Sequence, residues 1–319
     1  MPTVILIDRS LSMRRPASRD HLGQTRHSLA CRGLECFFDY MGLHFPLEYT
    51  CMLSFSSVCD VVVPFTRNYG QLKEKLGDIV VLDRTDLHTA LVAMVEVMIA
   101  EWGVFAPCQA VLITDGSPGV KHQDSVHRRP SLNIPFPCQL HVLCIATRDE
   151  LSQPVWQSKM QRLCETTGTS HSEIFVPASP LTVETVKAAF MQLAKTSFKP
   201  YIGTLKCGLL QSTVSLAPSP YIHKSKFDII VSAEHKYPKL DAGVPNLEYP
   251  KELAVCGFLE TSCIPSPPVY ARHFVLDPDA GSEDERKHGD AADTQKPSFR
   301  VLLHGSLKCE SKAALIKLG

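Results

Sequence analysis

No stretch of this 319-residue sequence reaches the roughly 18 consecutive apolar residues that a membrane-spanning helix needs. The opening, MPTVILID, meets an acid at residue 8, too soon for the apolar core of a signal peptide, which argues against secretion. Net charge is also missing: 33 Lys and Arg face 33 Asp and Glu, so only a local patch would serve nucleic acid. Twelve cysteines are present, yet none forms a C-x-x-C pair, and no Cys or His pair has finger-like spacing. Cys108 in PCQAVLI and Cys144 in LHVLCIA lie inside apolar runs, so the cysteines read as reduced, buried thiols rather than a disulfide framework. A G-x-S-x-G nucleophile elbow is absent too. What remains, 44% hydrophobic and 21% charged residues, is the composition of a packed protein of one large or two ordinary domains.

Along residues 1–198, short apolar runs alternate with longer amphipathic ones. Thr3 to Ile7, Cys108 to Ile113 and Cys138 to Ile145 read as buried strands. Leu47 to Phe55 and Cys59 to Phe65 read as a hairpin whose Pro64 suits an edge. Helical spacing marks His21 to Met41, Tyr69 to Leu76, Asp86 to Trp102, Val155 to Thr166 and Leu181 to Ala194, with a short strand, SEIFV, at 172–176. This order predicts an α/β domain, a largely parallel sheet covered on both faces. From residue 199 onward the helical period disappears. The pieces YIGTLKCG, STVSLAP, KFDIIVSA, ELAVCGFLE, ARHFVLD and FRVLLHGSLK, separated by prolines, predict an all-β, barrel-like domain over 199–319. Residues 277–297 carry seven acids, three bases and no large apolar side chain, the composition of a disordered acidic loop. The final AALIKLG stops inside an apolar run, as expected of a domain truncated at its C-terminus.

Chemistry concentrates at the carboxyl ends of the first and fourth strands, where parallel α/β sheets place ligands. Asp8-Arg9-Ser10-Leu11-Ser12 follows the first strand directly. Alternation puts Asp8, Ser10 and Ser12 on one side, a carboxylate and two hydroxyls that suit a hard cation such as Mg2+. Asp115, followed by Gly116, ends the strand CQAVLIT at the same edge, and Thr85 opens the long helix beside it. Arg9 points away from this set and is expected in solvent, its positive charge lowering metal affinity. Lys121, Arg128 and Arg129 lie in a basic stretch at 120–130, read as a solvated loop in preference to a phosphate contact.

The D-x-S-x-S, Thr and strand-Asp-Gly elements together resemble the von Willebrand factor A (VWA, Rossmann-like) family across residues 1 to about 198. The resemblance implies a metal-ion-dependent adhesion site (MIDAS). In that family the hydroxyls, here Ser10, Ser12 and Thr85, ligate Mg2+, and the acids, here Asp8 and Asp115, bind it directly or through water. The segments MPTVILIDRSLSMRRP, LSFSSVCDVVVPFTRNYGQL, ALVAMVEVMIAEWGVFAPCQAVLITDG, SPPVYARHFVLD and FRVLLHGSLK narrow the resemblance to the A-domain scaffold subunits of the nuclear Integrator complex. It implies a noncatalytic role in small nuclear RNA processing and transcription attenuation, nuclear localisation, and pairing with Integrator subunits 13 and 10, with RNA or DNA contact. The alternatives are a metal-dependent adhesion or binding module of another intracellular complex, and a metal-dependent phosphoester hydrolase. A hydroxyl-rich ligand set without a positioned base weighs against the hydrolase.

Overall fold

The computed structural model describes residues 1–17, 23–103, 106–117, 134–136, 138–152, 173–217, 220, 251–264, 273–276 and 299–317. The chain divides into two compact units, Met1–Lys199 and Pro200–Gly319. Among the described residues, no helix is long and apolar enough to cross a membrane.

In the first unit, β1 (Thr3–Asp8), β2 (Thr50–Phe55), β3 (Cys59–Thr66), β4 (Cys108–Thr114), β5 (Cys138–Cys144) and β6 (Glu173–Phe175) form one sheet, ordered β3-β2-β1-β4-β5-β6. All pairings are parallel except β2 with β3, the hairpin that provides the antiparallel edge. Among the described residues, five α-helices accompany these strands: α1 (Arg26–His44), α2 (Tyr69–Lys75), α3 (Leu87–Trp102), α4 (Arg148–Leu151) and α5 (Val183–Ser197).

β1 reads TVILID without a polar interruption before its end because both of its faces are covered. Successive strand side chains point to opposite faces. Ile5 and Ile7 therefore pack with Leu34, Phe37 and Phe38 of α1 and Phe190 of α5. Val4 and Leu6 pack with Ala90, Leu91, Met94 and Met98 of α3. α1 and α5 approach so closely that a Cβ on Gly33 would overlap the Phe190 ring. Each of these helix starts is pinned by its sequence. Thr25 caps α1 through Ser28 N–H at 3.1 Å, Asp86 caps α3 through His88 N–H at 3.1 Å, and Thr182 opens α5 through Thr185 N–H at 3.2 Å. β1 and β4 are adjacent and parallel, so their carboxyl ends lie side by side at one edge of the sheet, the edge where parallel α/β sheets place ligands.

The second unit holds β7 (Tyr201–Cys207), β8 (Leu210–Ala217), β9 (Glu252–Glu260), β10 (Phe274–Leu276) and β11 (Lys312–Lys317), ordered β10-β8-β7-β9-β11. β7 and β8 form a hairpin whose turn uses Gly208 at φ +61°, a conformation that glycine adopts at no steric cost. Leu205, Val214, Leu216 and Leu253 form a small core, and Tyr201, Val255, Phe299 and Leu303 pack against it.

Two sequence expectations change here. FRVLLHGSLK is a helix, α6 (Phe299–Cys309), not a strand. Its apolar residues satisfy both periods. Phe299 and Leu303 stand one helical turn apart and both reach the core, while Val301 and Leu302 stay exposed. In so short a run periodicity alone does not separate the two structures, and packing decides. The terminal apolar run, to which the sequence assigns no element, contributes to β11, which pairs antiparallel with β9. The helix at Val155 to Thr166, the strand KFDIIVSA and the acidic loop at 277–297 fall outside the described residues.

Candidate metal-binding site

β1 ends at Asp8 and β4 at Thr114, on adjacent parallel strands, so Asp8 and Asp115 emerge side by side at one edge of the sheet. The backbone turns sharply after β1, where Ser10 N–H donates to Asp8 Oδ1 at 2.9 Å. This turn brings both serines to the edge where Asp115 emerges. Ser10 Oγ and Ser12 Oγ lie 3.0 Å apart, and Ser12 Oγ donates to Asp115 Oδ1 at 3.0 Å.

Thr85 comes from a third segment, which is stapled in place by main-chain bonds. Leu11 N–H donates to Asp83 O at 2.7 Å, Leu82 N–H to Arg9 O at 2.7 Å, and Asp86 N–H to Ser56 O at 2.9 Å. Ser57 Oγ adds a 2.6 Å bond to Asp83 Oδ2. Held this way, Thr85 Oγ1 donates to Ser10 Oγ at 2.7 Å and reaches Asp8 Oδ2 at 3.3 Å. The structure thus brings Asp8, Ser10, Ser12, Thr85 and Asp115 into one hydrogen-bonded cluster drawn from three distant parts of the chain.

Asp8 is completely buried, and burial raises its pKa. Hydrogen bonds from Thr114 and Ser10 oppose that shift, and the nearby Asp115 charge adds to it. Asp115 is buried as well, and its Oδ2 has no hydrogen-bond partner. Two buried acids, one with an oxygen lacking a hydrogen-bond partner, form an anionic cluster that gains from a cation.

The donors suit one. Oxygen separations of 2.7–3.3 Å among Asp8, Ser10, Ser12, Thr85 and Asp115 lie around the roughly 3 Å edge of an octahedron built on metal–oxygen bonds of about 2.1 Å. Carboxylate and hydroxyl oxygens are the hard ligands such an ion takes. The residues present therefore fit a Mg2+-type ion.

Sequence reasoning missed three participants, Thr114, Arg26 and Glu150, and misplaced a fourth, Arg9. Thr114 Oγ1 donates to Asp8 Oδ2 at 2.6 Å from inside the core, and its place immediately before Asp115 was the available signal. Arg9 is not in solvent. It is about nine-tenths buried and ion-paired with Asp60 at the start of β3, an edge strand whose distance in sequence hid the partner. Arg26 and Glu150 also reach the site. Arg26 Nη1 lies 3.6 Å from Asp115 Oδ2, and Arg26 Nη2 donates to Glu150 Oε1 at 2.5 Å. No local pattern announces a contact between residues so far apart. Lys121, Arg128 and Arg129 lie outside the described residues.

Comparison with known proteins agrees with this architecture. The model of the von Willebrand factor type A domain matches residues 3–117, a range that includes all five cluster residues. The model of the Integrator complex subunit 14 β-barrel domain matches residues 198–319. Integrator complex subunit 14 of Gallus gallus is 34% identical over 345 aligned residues, and that of Homo sapiens 33%; each alignment covers all of this chain and 64% of the relative. The chain therefore spans somewhat less than two thirds of the length of these relatives. Among solved structures, the SpRpn10 VWA domain is similar at 17% identity and a TM-score of 0.43, over 60% of this chain and 94% of that one. With a VWA domain followed by this particular barrel domain, and with similarity running along its whole length, the chain belongs to the Integrator complex subunit 14 family.

Proposed function

We propose that this chain is a noncatalytic scaffold subunit of the nuclear Integrator complex whose A domain holds Mg2+ at Asp8, Ser10, Ser12, Thr85 and Asp115. The observation that carries the reading is the cluster itself. Three hydroxyls and two acids from three segments meet at the carboxyl edge of the sheet. The ion, when bound, supplies a Lewis-acidic position for an acidic group of a partner. The protein's own part is positional. Main-chain bonds fix Thr85, the turn after β1 fixes Ser10 and Ser12, and Thr114 holds Asp8. Both acids serve as ligands here, which favours capture of a partner over hydrolysis.

On this reading the subunit joins Integrator subunits 13 and 10, supports small nuclear RNA processing and transcription attenuation, and resides in the nucleus. Support for that part comes from the similarity to subunit 14 of several vertebrates, which runs along all of this chain and 64% of each relative. The test is co-purification of a tagged full chain from nuclear extract with and without a chelator. Recovery of Integrator subunits by wild-type protein, reduced by chelation or by Asp8→Ala, is the expected result. Recovery insensitive to both confines assembly to surfaces other than this site.

A further inference from the structure

Arg26 is the unusual neighbour of this cluster. Its side chain is almost wholly buried, as is that of Asp115, whereas that of Glu150 is 41% exposed. The guanidinium is divided unequally between the two acids. It makes a 2.5 Å hydrogen bond to Glu150 Oε1, but its 3.6 Å approach to Asp115 Oδ2 is too long for one. Two atoms are left over: Arg26 Nε, a buried donor, and Asp115 Oδ2, a buried acceptor, neither with a hydrogen-bond partner. A buried donor and acceptor without partners are costly to maintain, and here each is what the other lacks. The remaining contacts explain what separates them. Asp115 Oδ1 is occupied by Ser12 Oγ at 3.0 Å and Ser117 N–H at 2.9 Å. Glu150 is anchored through Oε2 by Thr147 N–H at 2.9 Å and Thr147 Oγ1 at 3.1 Å, in the capping box that starts α4.

From this arrangement we infer that Arg26 is an internal competitor for the cation site, and that Glu150 is the latch that draws it off Asp115. The inference rests on the cation reading proposed above. While Glu150 holds the guanidinium, Asp115 faces the hydroxyls, and the acids Asp8, Asp115 and Glu150 outweigh Arg26 by two charges, the charge of one Mg2+. When Glu150 is removed, or drawn to an outside cation through its exposed side, Arg26 moves the short distance to Asp115 Oδ2. The acid is then neutralised from within, and the site loses its hold on the ion. The competing charge is provided by α1, its latch by α4 and its target by the end of β4, so an event at the surface of α4 reaches the cation site through two side chains. Glu150 is a positioning residue in this scheme, because it acts only through Arg26.

The test is calorimetric titration of the full chain with Mn2+ and with Mg2+. Glu150→Gln removes one charge and keeps the capping box, since Gln fills that position as well as Glu. It should weaken the ion by about tenfold, within the range that coupled sites span. Arg26→Met should tighten it by a similar factor, and adding Glu150→Gln to Arg26→Met should change it little further. A loss that persists in the Arg26→Met background overturns the latch, because Glu150 would then act without Arg26. Ion binding by wild-type protein that Arg26→Met leaves unchanged overturns the competitor and leaves the cation reading standing. Absence of binding in both wild type and Arg26→Met overturns both, whereas binding gained only by Arg26→Met supports the competitor. If Arg26→Met does not fold, Arg26→Gln removes the same charge with a polar side chain and is read in the same way.

Discussion

The two units solve the problem of burial differently. In the first, β1, β2 and β4 are buried along their whole length, because helices cover both faces of the sheet. In the second, four buried side chains form the described core, while Ile202, Leu210, Phe258 and Phe274 on its strands are exposed. A two-faced sheet holds a polar cluster rigidly at its edge, since the strands beneath cannot shift without disturbing two cores. A sheet with exposed apolar side chains leaves area for association, in keeping with the scaffold role proposed above.

Substitutions test this contrast, beginning with the largest effect. Phe190→Ala removes the ring that fills the space between α1 and α5 and should cost the first unit about 3–5 kcal/mol in urea unfolding. The same experiment on Leu205→Ala in the second unit should cost about 2–3 kcal/mol, toward the lower end for large-to-small changes, because a smaller core collapses more easily around the gap. Equal losses at the two positions would erase the difference between the units.

Acid should act on the first unit selectively. His141 is buried between Gln109, 3.4 Å away, and Ser197, 3.2 Å away, and burial lowers its pKa to about 4 from 6.5. Below pH 6.5 the unfolded chain takes up a proton that the folded one refuses. Stability from this group is therefore complete above pH 6.5 and lost as pH falls toward 4, by up to about 1.4 kcal/mol per pH unit. His141→Gln should flatten that slope in unfolding measured from about pH 7 down to 4.

Asp8→Ala bears on the site rather than the core. On the cation reading proposed above, Mg2+ at a hundredfold excess over Kd should stabilise the wild type by about 2.7 kcal/mol, seen as a rise in Tm, and Asp8→Ala should abolish that rise. A Tm rise that survives the substitution removes Asp8 from the ligand set. The smallest effect belongs to Phe258→Thr, at an exposed position of β9, expected to stay within about 0.5 kcal/mol while lowering recovery of partners. A strong destabilisation there would show that the second unit is more tightly packed than its described core.

The contrast also explains what could be read from the sequence. Thr3 to Ile7 and Cys108 to Ile113 were legible as strands because continuous apolar runs bounded by polar turns are what a doubly covered sheet produces. Asp8, Ser10, Ser12 and Asp115 were legible as a group because each lies at or just beyond the end of such a strand, and strand ends fix where side chains emerge. In the second unit, the helix Phe299–Cys309 was not legible, since a sparse core contact once per turn also suits alternation. Arg26, Glu150 and the burial of Arg9 were hidden for another reason. Ion pairs between distant segments leave no periodic trace, and only the assembled fold brings the partners together.

The central place of β1 has a consequence for the newly made chain. Of the strands in its sheet β1 is synthesised first, and its two neighbours begin at Thr50 and Cys108. At about 5–20 residues per second, its second edge waits on the order of 5–20 s after emergence for β4 to exist. During that interval TVILI presents an unpaired apolar edge that any other extended segment can join. Pulse-labelled nascent chains that stop before residue 108 should therefore be held by ribosome-associated chaperones, and release should coincide with completion of β4.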